Sequence, residues 1–150
     1  AAVIECLGEK PETLTPVSYS AKATDRNQAG VRVTVPAVAE KTLVGVDIFL
    51  DNRDLTTDEI AEKLVPTAGD LMNLQVISNR GTKVWPDGLP ETFCSDHWRC
   101  RFLAKGDQPL ETTDLIALYE RIHETGLDQI KTENLYNFDG RPGFSAAQGS

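Results

Sequence analysis

The chain has little positive charge. Its 15 Lys and Arg residues stand against 23 Asp and Glu, a formal net charge of -8 at pH 7 over 150 residues. Binding a polyanion requires a basic patch that neutralises phosphates, so nucleic acid and anionic membrane surfaces are not expected partners. Long apolar runs are also lacking, and nothing approaches the roughly 18 residues that would span a bilayer. The opening residues, AAVIECLGEK, have neither the basic start nor the apolar stretch of a signal peptide. Cysteine is scarce and odd in number, with Cys6, Cys94 and Cys100. Complete pairing within the chain is therefore impossible, and a reducing, cytoplasmic setting is expected.

What remains is ordinary for a globular domain, with 40% hydrophobic and 25% charged residues, a balance that argues against disorder or a disulfide scaffold. The length suits one domain with one core. Residues 1–8 place Val3, Ile4 and Leu7 before Gly8 and read as the end of a helix whose body lies upstream, since so short a helix does not nucleate alone. Residues 9–41 carry Pro11, Pro16 and Pro36 among polar clusters and read as a linker or extended N-terminal arm, with an edge strand at 31–35.

From residue 42 to 150 an accessory α+β domain with an irregular C-terminal tail is expected. LVGVDIFLD at 43–51 puts Val44, Val46, Ile48 and Leu50 on one face of a strand, with Leu43 and Phe49 opposite. Thr56 and Glu59 have capping-box spacing ahead of Ile60, Ala61 and Leu64, which predicts a helix ended by Pro66 and Gly69. A second strand starts at Leu74 and meets a bulge or bend at Ser78-Asn79-Arg80-Gly81. His97–Ala104 alternates again, with Trp98, Cys100 and Phe102 on one side and His97, Arg99 and Arg101 on the other. Leu115, Leu118, Tyr119 and Ile122, closed by Gly126, form a helical stripe. Ile130 and Thr132 supply a fourth strand. The β-α-β-β-α-β order predicts a ferredoxin-like sandwich, a four-stranded antiparallel sheet with two helices on one face. The other face, mixed in character, is expected to meet a partner.

The search for chemistry finds no catalytic, cofactor-binding or metal residues. Cys94-x-x-His97-x-x-Cys100 has thiol and imidazole ligands, but a closed zinc site needs a fourth, and on a strand His97 and Cys100 face opposite ways. His123, near a helix C-terminus, suits capping better than base catalysis. Asp107, Glu111 and Asp114 sit where acids are favoured for structural reasons. No phosphate-binding glycine motif occurs, and Gly140-Arg141-Pro142-Gly143 follows no strand-to-helix turn. The most suggestive polar set is Asn79, Arg80, Arg99 and Arg101, a candidate contact for an anionic metabolite or a neighbouring subunit, because forked guanidinium groups suit carboxylates and phosphates.

The residue strings themselves carry a resemblance. AAVIECLGEKPETLTPV at the start resembles the last helix and exit of the catalytic region of an isocitrate dehydrogenase. VGVDIF at 44–49, VISNRGTKV at 76–84, RCRFL at 99–103 and NFDGRPGFSAAQG at 137–149 resemble the extra C-terminal domain of the longer bacterial isocitrate dehydrogenases. The resemblance implies a parent enzyme that oxidatively decarboxylates isocitrate to 2-oxoglutarate with NADP, in preference to NAD, and Mg²⁺ or Mn²⁺. It implies that the family's catalytic residues lie upstream, that this fragment alone is not an enzyme, and that its partners are the catalytic region and other subunits of a homo-oligomer. A regulatory module binding a small anion is the alternative.

Overall fold

A computed structural model describes Thr13 and residues 37–146. The chain divides into two compact units, Ala1–Pro36 and Ala37–Ser150. The expected helix end at 1–8 and edge strand at 31–35 lie outside the described residues.

The second unit begins with strand β1, Lys41–Asp51, followed by helix α1, Thr57–Leu64, and a 3₁₀ turn, Val65–Ala68. Strands β2, Met72–Asn79, β3, Thr82–Trp85, and β4, His97–Ala104, come next. Helix α2, Thr112–Glu124, precedes β5, Asp128–Phe138, and the short β6, Arg141–Pro142.

Local chemistry explains the helices. The Thr56 backbone N–H donates to Glu59 Oε2 at 2.8 Å, and the Glu59 N–H donates back to Thr56 Oγ1 at 3.4 Å, so two groups that α1 leaves unpaired are satisfied reciprocally. Pro66 then falls in the 3₁₀ turn and Gly69 takes φ 63, which ends the helical run. In α2 the Glu111 N–H donates to Asp114 Oδ2 at 2.8 Å. Gly126 follows that helix at φ 77, the left-handed conformation that favours glycine. Ile60, Ala61 and Leu64 of α1 and Leu115, Leu118 and Ile122 of α2 are buried in one core with Ile48, Leu50, Trp98 and Phe102 of the sheet.

The sheet corrects the expected fold. Instead of a four-stranded ferredoxin-like sandwich, six strands run in the order β3-β2-β4-β1-β5-β6, every pair antiparallel, curled into a half-barrel. Two tight turns make the difference. Arg80 and Gly81, at φ 52 and 82, connect Asn79 to its cross-strand partner Thr82, and what reads as a bulge is a hairpin. Asp139 and Gly140, at φ 49 and 75, do the same between Phe138 and Arg141. Two successive positive φ values give the turn whose twist matches that of paired strands.

Two strand readings also change. A register shift between Leu43 and Gly45 turns Leu43 into the core and leaves Val44 half-buried, because one extra residue inverts the alternation on its far side. Gly45 is required beside it, since a Cβ there would lie 2.3 Å from the Phe102 carbonyl oxygen. In β5 both Ile130 and Thr132 are exposed. That strand buries Leu135 instead and packs Tyr136 against the core.

Candidate functional site

The helix-free side of the sheet is organised around an ion pair. On β4, Arg99 and Arg101 fall on the face opposite Trp98, Cys100 and Phe102, as alternation requires. Their register partners on β1 are Phe49 and Asp47. Asp47 accepts two hydrogen bonds from Arg101, Nε to Oδ1 and Nη2 to Oδ2, both at 2.7 Å. The remaining Arg101 nitrogen, Nη1, donates to the Ser145 carbonyl at 2.8 Å. The guanidinium carbon also lies 5.1 Å from the centre of the Phe144 ring. All three nitrogens are thus engaged, and the side chains of Arg101 and Asp47 are only 4% and 2% exposed. This bidentate geometry is the strongest that an arginine makes with a carboxylate.

Arg99 sits beside the pair and is 28% exposed. Its Nε donates to Ser78 Oγ at 3.2 Å and lies 3.9 Å from Asp47 Oδ2. Along the same face, the Phe49 ring centre is 5.5 Å from that of His97, and the Lys131 ammonium stands 4.7 Å from the Phe49 ring centre. Lys131 also pairs with Glu133.

The structure therefore brings Arg99 and Arg101 together and places Asn79 and Arg80 elsewhere. Asn79 is buried and clamps the loop that precedes β4. Its Nδ2 donates to the Ser95 carbonyl at 2.8 Å, while its Oδ1 accepts from the Ser95 N–H at 2.8 Å and from Ser95 Oγ at 3.2 Å. Arg80 lies at the β2–β3 turn, its guanidinium 5.4 Å from the Phe93 ring centre. Asp47, which organises the site, was missed as a functional residue. Its one sequence signal is a carboxylate inside an otherwise apolar strand.

Among the described residues, Cys94 and Cys100 do not combine with histidine in a metal-binding group. Cys94 is half-buried, and its thiol donates to the Thr92 carbonyl at 3.6 Å. Cys100 is fully buried, and burial, reinforced by the nearby Asp47 charge, pushes its thiol far above the ordinary cysteine range. Among the described residues, no group of three or more His, Cys, Asp or Glu side chains is placed to hold a metal ion. No helix there is long and apolar enough to cross a membrane.

These features define an α+β domain whose central polar groups hold its own sheet and C-terminal segment together. Residues 41–150 match the family described as bacterial isocitrate dehydrogenase, C-terminal domain, and the chain belongs to that family. It is 36% identical over 147 residues to the isocitrate dehydrogenase [NADP] of Rickettsia bellii (strain RML369-C), covering 98% of this chain and 30% of that protein. It is 32% identical over 149 residues to the isocitrate dehydrogenase [NADP] of Thermus thermophilus, covering 99% of this chain and 29% of the other. The crystal structure of the TT0538 protein from Thermus thermophilus superposes with a TM-score of 0.69 at 37% identity, over 77% of this chain and 23% of that one. The chain thus spans under a third of the length of these relatives.

Proposed function

We propose that the chain is an accessory domain of a cytoplasmic isocitrate dehydrogenase, and that it stabilises the enzyme and holds its subunits together. The enzyme oxidatively decarboxylates isocitrate to 2-oxoglutarate with NADP and Mg²⁺ or Mn²⁺, and its catalytic residues lie in the region upstream of residue 9, with residues 9–41 as the connecting arm. The observation that carries the accessory role is the one-sided covering of the sheet. Both helices pack into one core, whereas the opposite side presents half-buried Phe49, partly exposed Arg99 and exposed His97, Lys131 and Glu133. Such a mixed apolar and charged surface suits a protein partner.

Among the described residues, no group of three or more His, Cys, Asp or Glu side chains is placed to hold a divalent ion. Arg101, one of the arginines suited to a phosphate, already has every nitrogen engaged by Asp47 and Ser145. The chain by itself is accordingly expected to show no isocitrate-dependent NADP reduction, and measurable turnover would refute the accessory reading. Multi-angle light scattering of the chain over a concentration series is expected to show a dimer or larger species, and a monomer throughout would refute self-association.

A second reading places a small anionic metabolite at Arg99, with Arg101, Asn79 and Arg80 as the wider candidate set. It is favoured by the partial exposure of Arg99 next to His97. Thermal-shift measurements with citrate-cycle acids and nucleotides test it, because a ligand that binds only the folded state raises the midpoint. No shift with any of them would remove this reading.

A further inference from the structure

Among the described residues, strand β5 has the longest unpaired edge. On one side it pairs with β1 from Lys41↔Phe138 to Asp51↔Asp128. On its other side, among the described residues, only Asn137 and Phe138 are paired, with Pro142 and Arg141 of β6. The Tyr136 carbonyl accepts the Gly143 N–H at 2.8 Å, so residues 128–135 present the open row of backbone donors and acceptors, and residues 130–134 are all exposed. An open edge of this kind is a template for another strand. Ile130, an apolar side chain 47% exposed, stands on it, at the register shift opposite Phe49 and Leu50.

We propose that this edge pairs with the same edge of a second copy of the chain, antiparallel about a two-fold axis through Thr132, joining the two half-barrels into one continuous sheet. The inference rests on the self-association reading above and names its surface. A two-fold axis normal to the sheet keeps like faces together, so residues whose numbers are symmetric about Thr132 stand opposite one another. Lys131 of one copy then faces Glu133 of the other, and Glu133 faces Lys131. Both residues share the helix-free side, being register partners of Phe49 and Asp47. Their existing contact within one copy becomes a closed ring of four alternating charges. A centre at Glu133 would instead set like carboxylates face to face, which is destabilising. Charges on an edge ordinarily discourage pairing with arbitrary strands; this spacing discourages strangers and accepts its own copy.

The test is sedimentation equilibrium of the full 150-residue chain and of the variants K131E and E133K. Both sites are exposed, and circular dichroism verifies that each variant is folded. The native chain is expected to dimerise. Each single reversal creates two like-charge pairs across the axis and is expected to weaken the dimer on the order of tenfold or more. An equimolar mixture of the two variants restores opposite charges at both crossings and is expected to dimerise like the native chain. If the native chain dimerises and the reversals leave its affinity unchanged, this edge is not the interface, although self-association stands. If the reversals weaken it but the mixture fails to recover, the register about Thr132 is wrong. A native chain that stays monomeric overturns the edge and the self-association reading together.

Discussion

Removing the Asp47 carboxylate should be among the most damaging single changes available to the domain. In Asp47→Asn the shape is kept, but the charge facing two 2.7 Å bonds from Arg101 is lost. Both side chains are under 5% exposed, so water cannot compensate, and breaking a buried pair in this way costs about 3–5 kcal/mol. Against a typical total stability of about 5–15 kcal/mol, that lowers the thermal midpoint by roughly 10–25 °C for a domain of this size. The reverse truncation, Arg101→Met, should cost less, because Arg99 lies 3.9 Å from the same carboxylate and remains to partner it. Loss of Arg101 should also release the Ser145 carbonyl and Phe144, read as faster amide hydrogen exchange around Ser145 with the sheet core still protected. The double variant Asp47→Leu with Arg101→Met should be less damaging than Asp47→Asn alone, since two apolar groups leave no buried charge. Differential scanning calorimetry on the variants decides the matter. A midpoint shift below about 3 °C for Asp47→Asn would show that the pair is hydrated in solution and that the sheet does not depend on it.

Three further outcomes follow from individual contacts. Gly45→Ala brings a Cβ against the Phe102 carbonyl at the β1–β4 seam, so denaturant unfolding should show a loss well above the ordinary ~1 kcal/mol of a point substitution. The Glu59 carboxyl is held below its ordinary pKa of 4.5, chiefly by the Thr56 backbone N–H and then by the Thr56 hydroxyl. A depressed folded-state pKa contributes stability that is present above 4.5 and disappears as pH falls through the folded value. The midpoint difference between the native chain and Glu59→Ala should therefore shrink steadily on acidification below that point. Iodoacetamide should label Cys94 and spare Cys100 in the folded chain, because the reactive species is the thiolate and burial suppresses it at Cys100; mass spectrometry of chymotryptic peptides, cut after Phe93, Trp98 and Phe102, reads the two sites separately.

The elements that could be read in advance are those whose signal is local. The Thr56–Glu59 spacing specifies a cap within four consecutive residues, and the stripe through Leu115, Leu118 and Ile122 needs no partner to be recognised. Strands β3 and β6, of four and two residues, are too short to display an alternation, so only their turns could have revealed them. Asp139-Gly140 was such a signal, since that dipeptide is among the strongest for a two-residue hairpin turn. The site shows the same division. That Arg99 and Arg101 share a face is a property of one strand, but their common partner Asp47 is 54 residues from Arg101. Which β1 residue stands opposite which β4 residue is a matter of register, invisible in either strand alone. Asn79 illustrates the converse, a polar residue that looked available for a ligand but whose amide fits the backbone of Ser95, 16 residues away.

The buried pair also bears on which part of the sheet is left for a partner. An open sheet with helices on one side would ordinarily expose its bare face, and a charged centre there would attract water or a ligand. Here the Asp47 and Arg101 charges neutralise one another, and the chain's own Phe144 and Ser145 close over the guanidinium. Gly143 permits that return. Its N–H donates to the Tyr136 carbonyl at 2.8 Å, and a Cβ at that position would come within 2.5 Å of the Phe138 ring. The middle of the bare face is thus already covered from within, so a partner arriving face-on is left the flank of Phe49, His97, Arg99 and Lys131. The β5 edge carries no such cover among the described residues, and its backbone groups must be met by water or by a strand. An edge-on approach leaves the Asp47–Arg101 lock intact, and this favours the edge over the centre of the face as the surface for the proposed pairing of two copies.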